Sequence, residues 1–103
     1  MNNETVCIDV IEVDMGGYFK TFRGVGFRYK DRYYVVSNWN NQAFEGAMIL
    51  PDPPPSHLCK VLARRMVERV FVDACIAYAD GQAAFKDIRG HVEQLLANAT
   101  KEV

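Results

Sequence analysis

The sequence predicts an α+β fold, an antiparallel meander of three or four strands packed by a C-terminal two-helix hairpin. Three observations carry that reading. Residues 5–50 hold runs of β-branched and aromatic residues separated by short turn signals. Pro51-Asp52-Pro53-Pro54-Pro55 then interrupts regular structure, because proline lacks an N–H and pushes its predecessor towards extended geometry. Beyond it, apolar residues recur at three- and four-residue spacing. Strands first and helices last favour segregated layers over alternating βαβ units. At 103 residues, 50% of them hydrophobic, the chain suits one domain around one core. Residues 1–50 are its expected sheet part, 51–55 a connector and 56–103 the helical hairpin.

Residues 5–13 read as a strand covered on both sides, with Val6, Ile8 and Val10 on one face and Cys7, Ile11 and Val13 on the other. Gly16-Gly17 is a turn. Residues 18–29 read as a second strand, bent at Gly24 and Gly26. Tyr29-Lys30-Asp31-Arg32 is the expected hairpin turn, without the Asn-Gly signature that would set its register. Residues 32–38 form the third strand. Residues 43–50 form a short fourth, with Phe44, Met48 and Leu50 on one side.

After the prolines, Ser56 is a good N-cap, and residues 57–79 read as one long helix with no internal Gly or Pro. Leu58, Val61, Leu62, Met66 and Val70 make its apolar stripe, with Arg64 and Glu68 as an exposed pair one turn apart. Asp80-Gly81 ends it. A second helix spans about residues 82–99, with Phe85, Ile88, Val92, Leu95, Leu96 and Ala99 on one face. Gly90 inside it suggests a closely packed neighbour.

The net charge is −1, so the chain is neither a polybasic tail nor an acidic disordered segment. That charge is unevenly spread. Residues 1–17 carry −4 and residues 18–39 carry +4. The basic hairpin is also rich in aromatics. Alternation would place Tyr18, Lys20, Phe22, Gly24, Gly26 and Arg28 on one solvated face. With Lys30 and the loop residue Trp39, that face is a candidate for stacking planar groups and holding phosphates. Arg23-Gly24-Val25-Gly26-Phe27 is partly similar to the glycine–aromatic stretch of RNA-recognition sheets. The helix such sheets place between their first two strands is missing, so the likeness assigns no family.

Residues 70–79 are apolar nearly all round, interrupted by Asp73, for which Arg69 is the expected ion-pair partner. A small domain struggles to cover every side of such a helix. Val70, Phe71, Cys75, Ile76 and Tyr78 are therefore candidate interface residues for a homodimer or a protein partner.

Cys7, Cys59 and Cys75 cannot all pair within one chain, and none stands at metal-ligand spacing. They read as partly buried thiols in a reducing cytosol. His57 and His91 have no nucleophile or second ligand beside them, and no nucleotide-binding or hydrolase motif occurs. The sequence nominates no catalytic residue, cofactor or metal. No stretch approaches the ~20 apolar residues of a membrane span, and the N-terminus lacks a basic-then-apolar leader. The expectation is a cytoplasmic, non-enzymatic interaction protein that associates through the first helix. Nucleic-acid binding by the hairpin is the alternative. A small-molecule pocket between sheet and helices, anchored by Asp73 or a tyrosine, is a further one.

Overall fold

The structure is a computed structural model that describes residues 4–14, 21–39 and 44–101, with side chains for 4–14, 21–37 and 46–98. Among these residues five strands, β1 (Thr5–Asp14), β2 (Thr21–Tyr29), β3 (Arg32–Trp39), β4 (Phe44–Pro51) and β5 (Cys59–Glu68), precede two helices, α1 (Arg69–Ala79) and α2 (Arg89–Lys101). A 3₁₀ turn, Phe85–Asp87, leads into α2. The sheet order is β4-β3-β2-β1-β5, antiparallel throughout. The α+β class, the meander and the C-terminal helix pair are thus as the sequence predicts, with one strand more than expected.

That strand is the principal correction. Residues 59–68, expected as the first half of a helix, are β5, and the helix begins only at Arg69. The physical reason lies in β1. Its two faces are both apolar, with Ile8, Val10, Ile11 and Val13 all buried, so it sits inside a sheet. A central strand needs hydrogen-bonding partners on both edges. β2 supplies one and β5 the other. The helical stripe was an accident of a β-bulge. Val10 pairs with Ala63 but Ile11 with Val61, so Leu62 is an extra residue that breaks the two-residue period. Ser56 consequently caps no helix, and Arg64 and Glu68 are strand residues rather than a helical pair.

One sheet face carries Ile8, Val10, Val25, Phe27, Tyr34, Val36 and Val67. Phe71, Val72 and Cys75 of α1, with Phe85, Ile88, Val92 and Leu95, cover it. The other face buries Ile11, Val13, Phe22, Tyr33 and Val35 without a helix. Here the β4–β5 connector crosses the sheet. Asp52 is held by Arg28 at one end, and the Asp14 N–H donates to the Leu58 carbonyl (2.8 Å) at the other. The chain leaves β4 beside Arg32 and enters β5 beside Val13, at opposite corners. On a flat sheet those corners would be about 30 Å apart. Eight fully extended chain steps reach roughly 28 Å. The sheet must therefore coil strongly about the connector, which brings Met48 and Leu50 of β4 into one cluster with Leu58 and Cys59.

The turn signals hold, but the second helix starts at Arg89 rather than near residue 82, with Phe85–Asp87 forming only the 3₁₀ turn. Lys30 (φ 50°) and Asp31 (φ 65°) make the tight turn between β2 and β3. Asp80 and Gly81 (φ 80°) end α1. Gly90 is a further correction, because a β-carbon there would meet nothing within 4 Å.

Candidate functional site

The centre of the helix-free face is organised by one glycine. Tyr33 on β3 reaches across β2 to β1, where its hydroxyl donates to Asp9 Oδ2 (2.7 Å). Its ring lies where a side chain on Gly26 would be, so an added β-carbon would collide with the Tyr33 oxygen. Burial, reinforced by the bond to Asp9, pushes the Tyr33 pKa far up, which keeps it a protonated donor. Asp9 Oδ1 accepts from Arg64 Nε (3.2 Å) on β5. Arg28 Nε binds Asp52 Oδ1 (2.9 Å), and the guanidinium carbon sits 5.5 Å from the Tyr33 ring centre. One chain of contacts therefore links β5, β1, β3, β2 and the connector.

Above Asp9 the sheet parts. The β1–β2 ladder runs from Asp14↔Thr21 to Asp9↔Gly26 and stops. Beyond it, Thr5 to Ile8 pair only with β5, and Phe27 to Tyr29 only with β3. The parted strands and α1 enclose a cleft of about 290 Å³. Arg28, Arg64 and Arg69 stand around it with Asp9 and Cys7, and Val6, Phe27, Val72 and Ile76 give it apolar walls.

The candidate nucleic-acid face is not assembled as the sequence suggested. Phe22 is buried with Ile11 and Val13, and Gly24 and Gly26 are buried too. The glycines leave room for Val35 and Tyr33 rather than a flat exposed gap. No bulge exchanges the faces of β2, whose ladder with β1 is continuous past Gly24. Arg28 is exposed but ion-paired, and Lys30 lies in the turn with its Nζ 5.3 Å from the Tyr29 ring centre. Tyr18 and Lys20 lie outside the described residues, as do the Gly16-Gly17 turn and the side chains of Trp39, Phe44 and Ala99.

The candidate interface residues on the first helix also divide. Phe71 and Cys75 are core residues, packed against their own sheet. Burial pushes the Cys75 thiol up to about 12. Ile76 and Tyr78 are partly buried against the same core, with Tyr78 edge-on to Phe85. Only Val70 is open to solvent, 67% exposed. Asp73 is exposed and lies 3.7 Å from Arg69 Nε, the pairing expected for it, so it is no buried anchor. Cys7 is exposed rather than partly buried.

The apolar surplus exists, but it lies elsewhere. Of the five large hydrophobics exposed among the described residues, Val61, Leu62, Met66 and Val70 cluster in one stretch of β5 and its junction with α1. β5 is an edge strand, so one row of its backbone donors and acceptors faces outward. Sequence reasoning had these residues in hand as a stripe. It missed that the stripe belongs to a strand edge rather than to a buried helix face.

Along that edge, residues at two-residue spacing read Leu62, Arg64, Met66, Glu68, Val70, or apolar, positive, apolar, negative, apolar. Reversed, the pattern complements itself. Among the described residues, no three His, Cys, Asp or Glu side chains group to hold a metal ion. No described helix is long and apolar enough to cross a membrane. No family model matches the chain, and comparison with curated proteins and with solved structures returns no match.

Proposed function

We propose that this chain is a non-enzymatic interaction protein that works as a homodimer, joined through β5. Two β5 strands pair antiparallel about a two-fold axis at Met66, extending the sheet across both copies. The observation that carries this reading is the self-complementary order of charge and apolar residues on an exposed edge strand. With Met66 on the axis, Arg64 opposes Glu68 of the other copy twice. The two Met66 side chains, the most exposed of the β5 hydrophobics at 63%, meet each other. Leu62 approaches the other copy's Val70 at the first turn of α1. Cross-strand pairs of opposite charge and of apolar residues stabilise antiparallel ladders by about 0.2–1 kcal/mol each. Two-fold association of one surface with itself is the commonest oligomer symmetry. The bulge at Leu62 limits the ladder to the Arg64–Glu68 segment and lets the strand twist away beyond it.

Charge reversal tests both the dimer and its register. Light scattering behind gel filtration should give a dimer mass for the parent chain. Arg64→Glu alone and Glu68→Arg alone should shift it towards monomer. Combining the two should restore the dimer. A parent chain that stays monomeric at high concentration overturns the proposal. So does a double variant no better than either single one.

A further inference from the structure

We infer that the cleft where β1 and β2 part binds a small molecule with an oxyanion head, carboxylate or phosphate, on an apolar or aromatic body. The inference does not require the dimer, although Arg64 takes part in both. Three guanidiniums and one carboxylate line the cleft, with Asp52, Asp73 and Glu4 paired to the guanidiniums from outside it, so it is the free guanidinium N–H groups that make the lining a set of donors. Arg28 is held through Nε by Asp52 and Arg64 through Nε by Asp9. That grip fixes each head while leaving the two Nη groups as a fork, the geometry that matches a planar carboxylate or a phosphate edge. Arg69 is held more loosely, 3.7 Å from Asp73 and 3.8 Å from Glu4, and can turn to a ligand at little cost.

The walls supply the second half of the recognition. Val6, Phe27, Val72 and Ile76 give the ligand body apolar contact, and Tyr29 adds an aromatic ring. The parted ladder supplies the third. Between Thr5–Ile8 and Phe27–Tyr29 the backbone groups that face the gap have no ladder partner across it. Such groups must bind water or a ligand. A cleft of about 290 Å³ sits at the small end of ligand sites, which fits a single ring or short chain with one charged head.

Cys7 on the lip provides the readout. It is exposed, whereas Cys59 is half-buried at the far end of β5 and serves as internal reference. Phenyl phosphate and benzoate are the probes, with benzyl alcohol as the uncharged control. Iodoacetamide alkylation of Cys7, followed by mass spectrometry, should slow about fivefold when a probe stands at about four times its Kd, because only unliganded protein reacts. Cys59 should react at an unchanged rate. Protection by one probe alone supports the inference and narrows the head to that oxyanion. The double variant Arg28→Gln/Arg69→Gln, folded by its thermal melt, should lose the protection. Met66→Arg should keep it, which separates the cleft from self-association. Absence of protection at millimolar probe overturns the inference, as does equal protection by benzyl alcohol or its survival in the double variant.

Discussion

The two edges of this sheet are built differently. β4 ends in Pro51, which has no N–H to offer, and among its described side chains holds one exposed large hydrophobic, Ile49, at 49%. β5 contains no proline and, with the first turn of α1, holds the other four. A proline and a short apolar complement are ordinary ways of blunting an edge against pairing. β5 carries other devices, the bulge at Leu62 and the charges of Lys60, Arg64, Arg65 and Glu68, and beyond the bulge the strand runs regularly from Ala63 to Glu68. The contrast teaches that exposed apolar residues are informative by arrangement rather than by number. Ile49 alone calls for no explanation. Leu62, Met66 and Val70, interleaved with Arg64 and Glu68, have a partner implied by their own order.

The largest expected effect breaks that contrast directly. Met66→Arg places two guanidiniums on the two-fold axis and should weaken association by about 3 kcal/mol, more than a hundredfold in Kd. Ile49→Arg on the opposite edge should leave it unchanged. Analytical ultracentrifugation of both variants checks the pair of outcomes, and equal loss in both would erase the distinction between edges.

Next in size is Gly26→Ala, which sits between the edges and touches neither. Displacing the Tyr33 ring costs packing and its bond to Asp9, about 2–3 kcal/mol of stability by chemical denaturation. The dimer should weaken only as folding fails.

Alkaline pH sharpens the separation of core from edge. Cys75 binds its proton more tightly folded, to about 12, than at its ordinary value of 9, so the unfolded chain releases it first. Stability should therefore hold below about pH 9 and fall from there to 12, with Tyr33 adding to the loss above pH 10. Cys75→Ala should flatten that slope in denaturant melts taken across the range. Met66→Arg should not, since its edge carries neither group.

The smallest effect is Gly90→Ala. The open space there and the helical backbone predict a gain of about 0.5–1 kcal/mol in thermal melts, with association untouched.

Much of the fold was legible in short-range pattern. The β-branched run of β1, the Lys30-Asp31 turn and the proline stop each satisfy a local rule and form where it puts them, whereas the stripe from Phe85 to Leu95 is buried as expected but its helix starts only at Arg89. The Arg69–Asp73 pair was legible for the same reason, being one helical turn apart. The cleft was not. Asp9, Arg28, Arg64 and Arg69 are distant in sequence, and only the sheet order β4-β3-β2-β1-β5 brings them together. Tyr33 stands opposite Arg28 in the ladder, and nothing in the sequence says that its ring leans across Gly26 to reach β1.

By itself, the sequence determined the strand-then-helix order and the Lys30-Asp31 and Asp80-Gly81 turns, because these follow from propensity and from periods of two and three to four residues. The tertiary structure alone decided what residues 59–68 become. Leu58, Val61, Leu62, Met66 and Val70 satisfy a helical period, yet β1 had an edge of backbone donors and acceptors that only a strand can pair. Hydrogen bonding along a whole strand outweighs the small propensity differences within it. The same decision turned a stripe expected in the core into the exposed edge on which the proposed function rests.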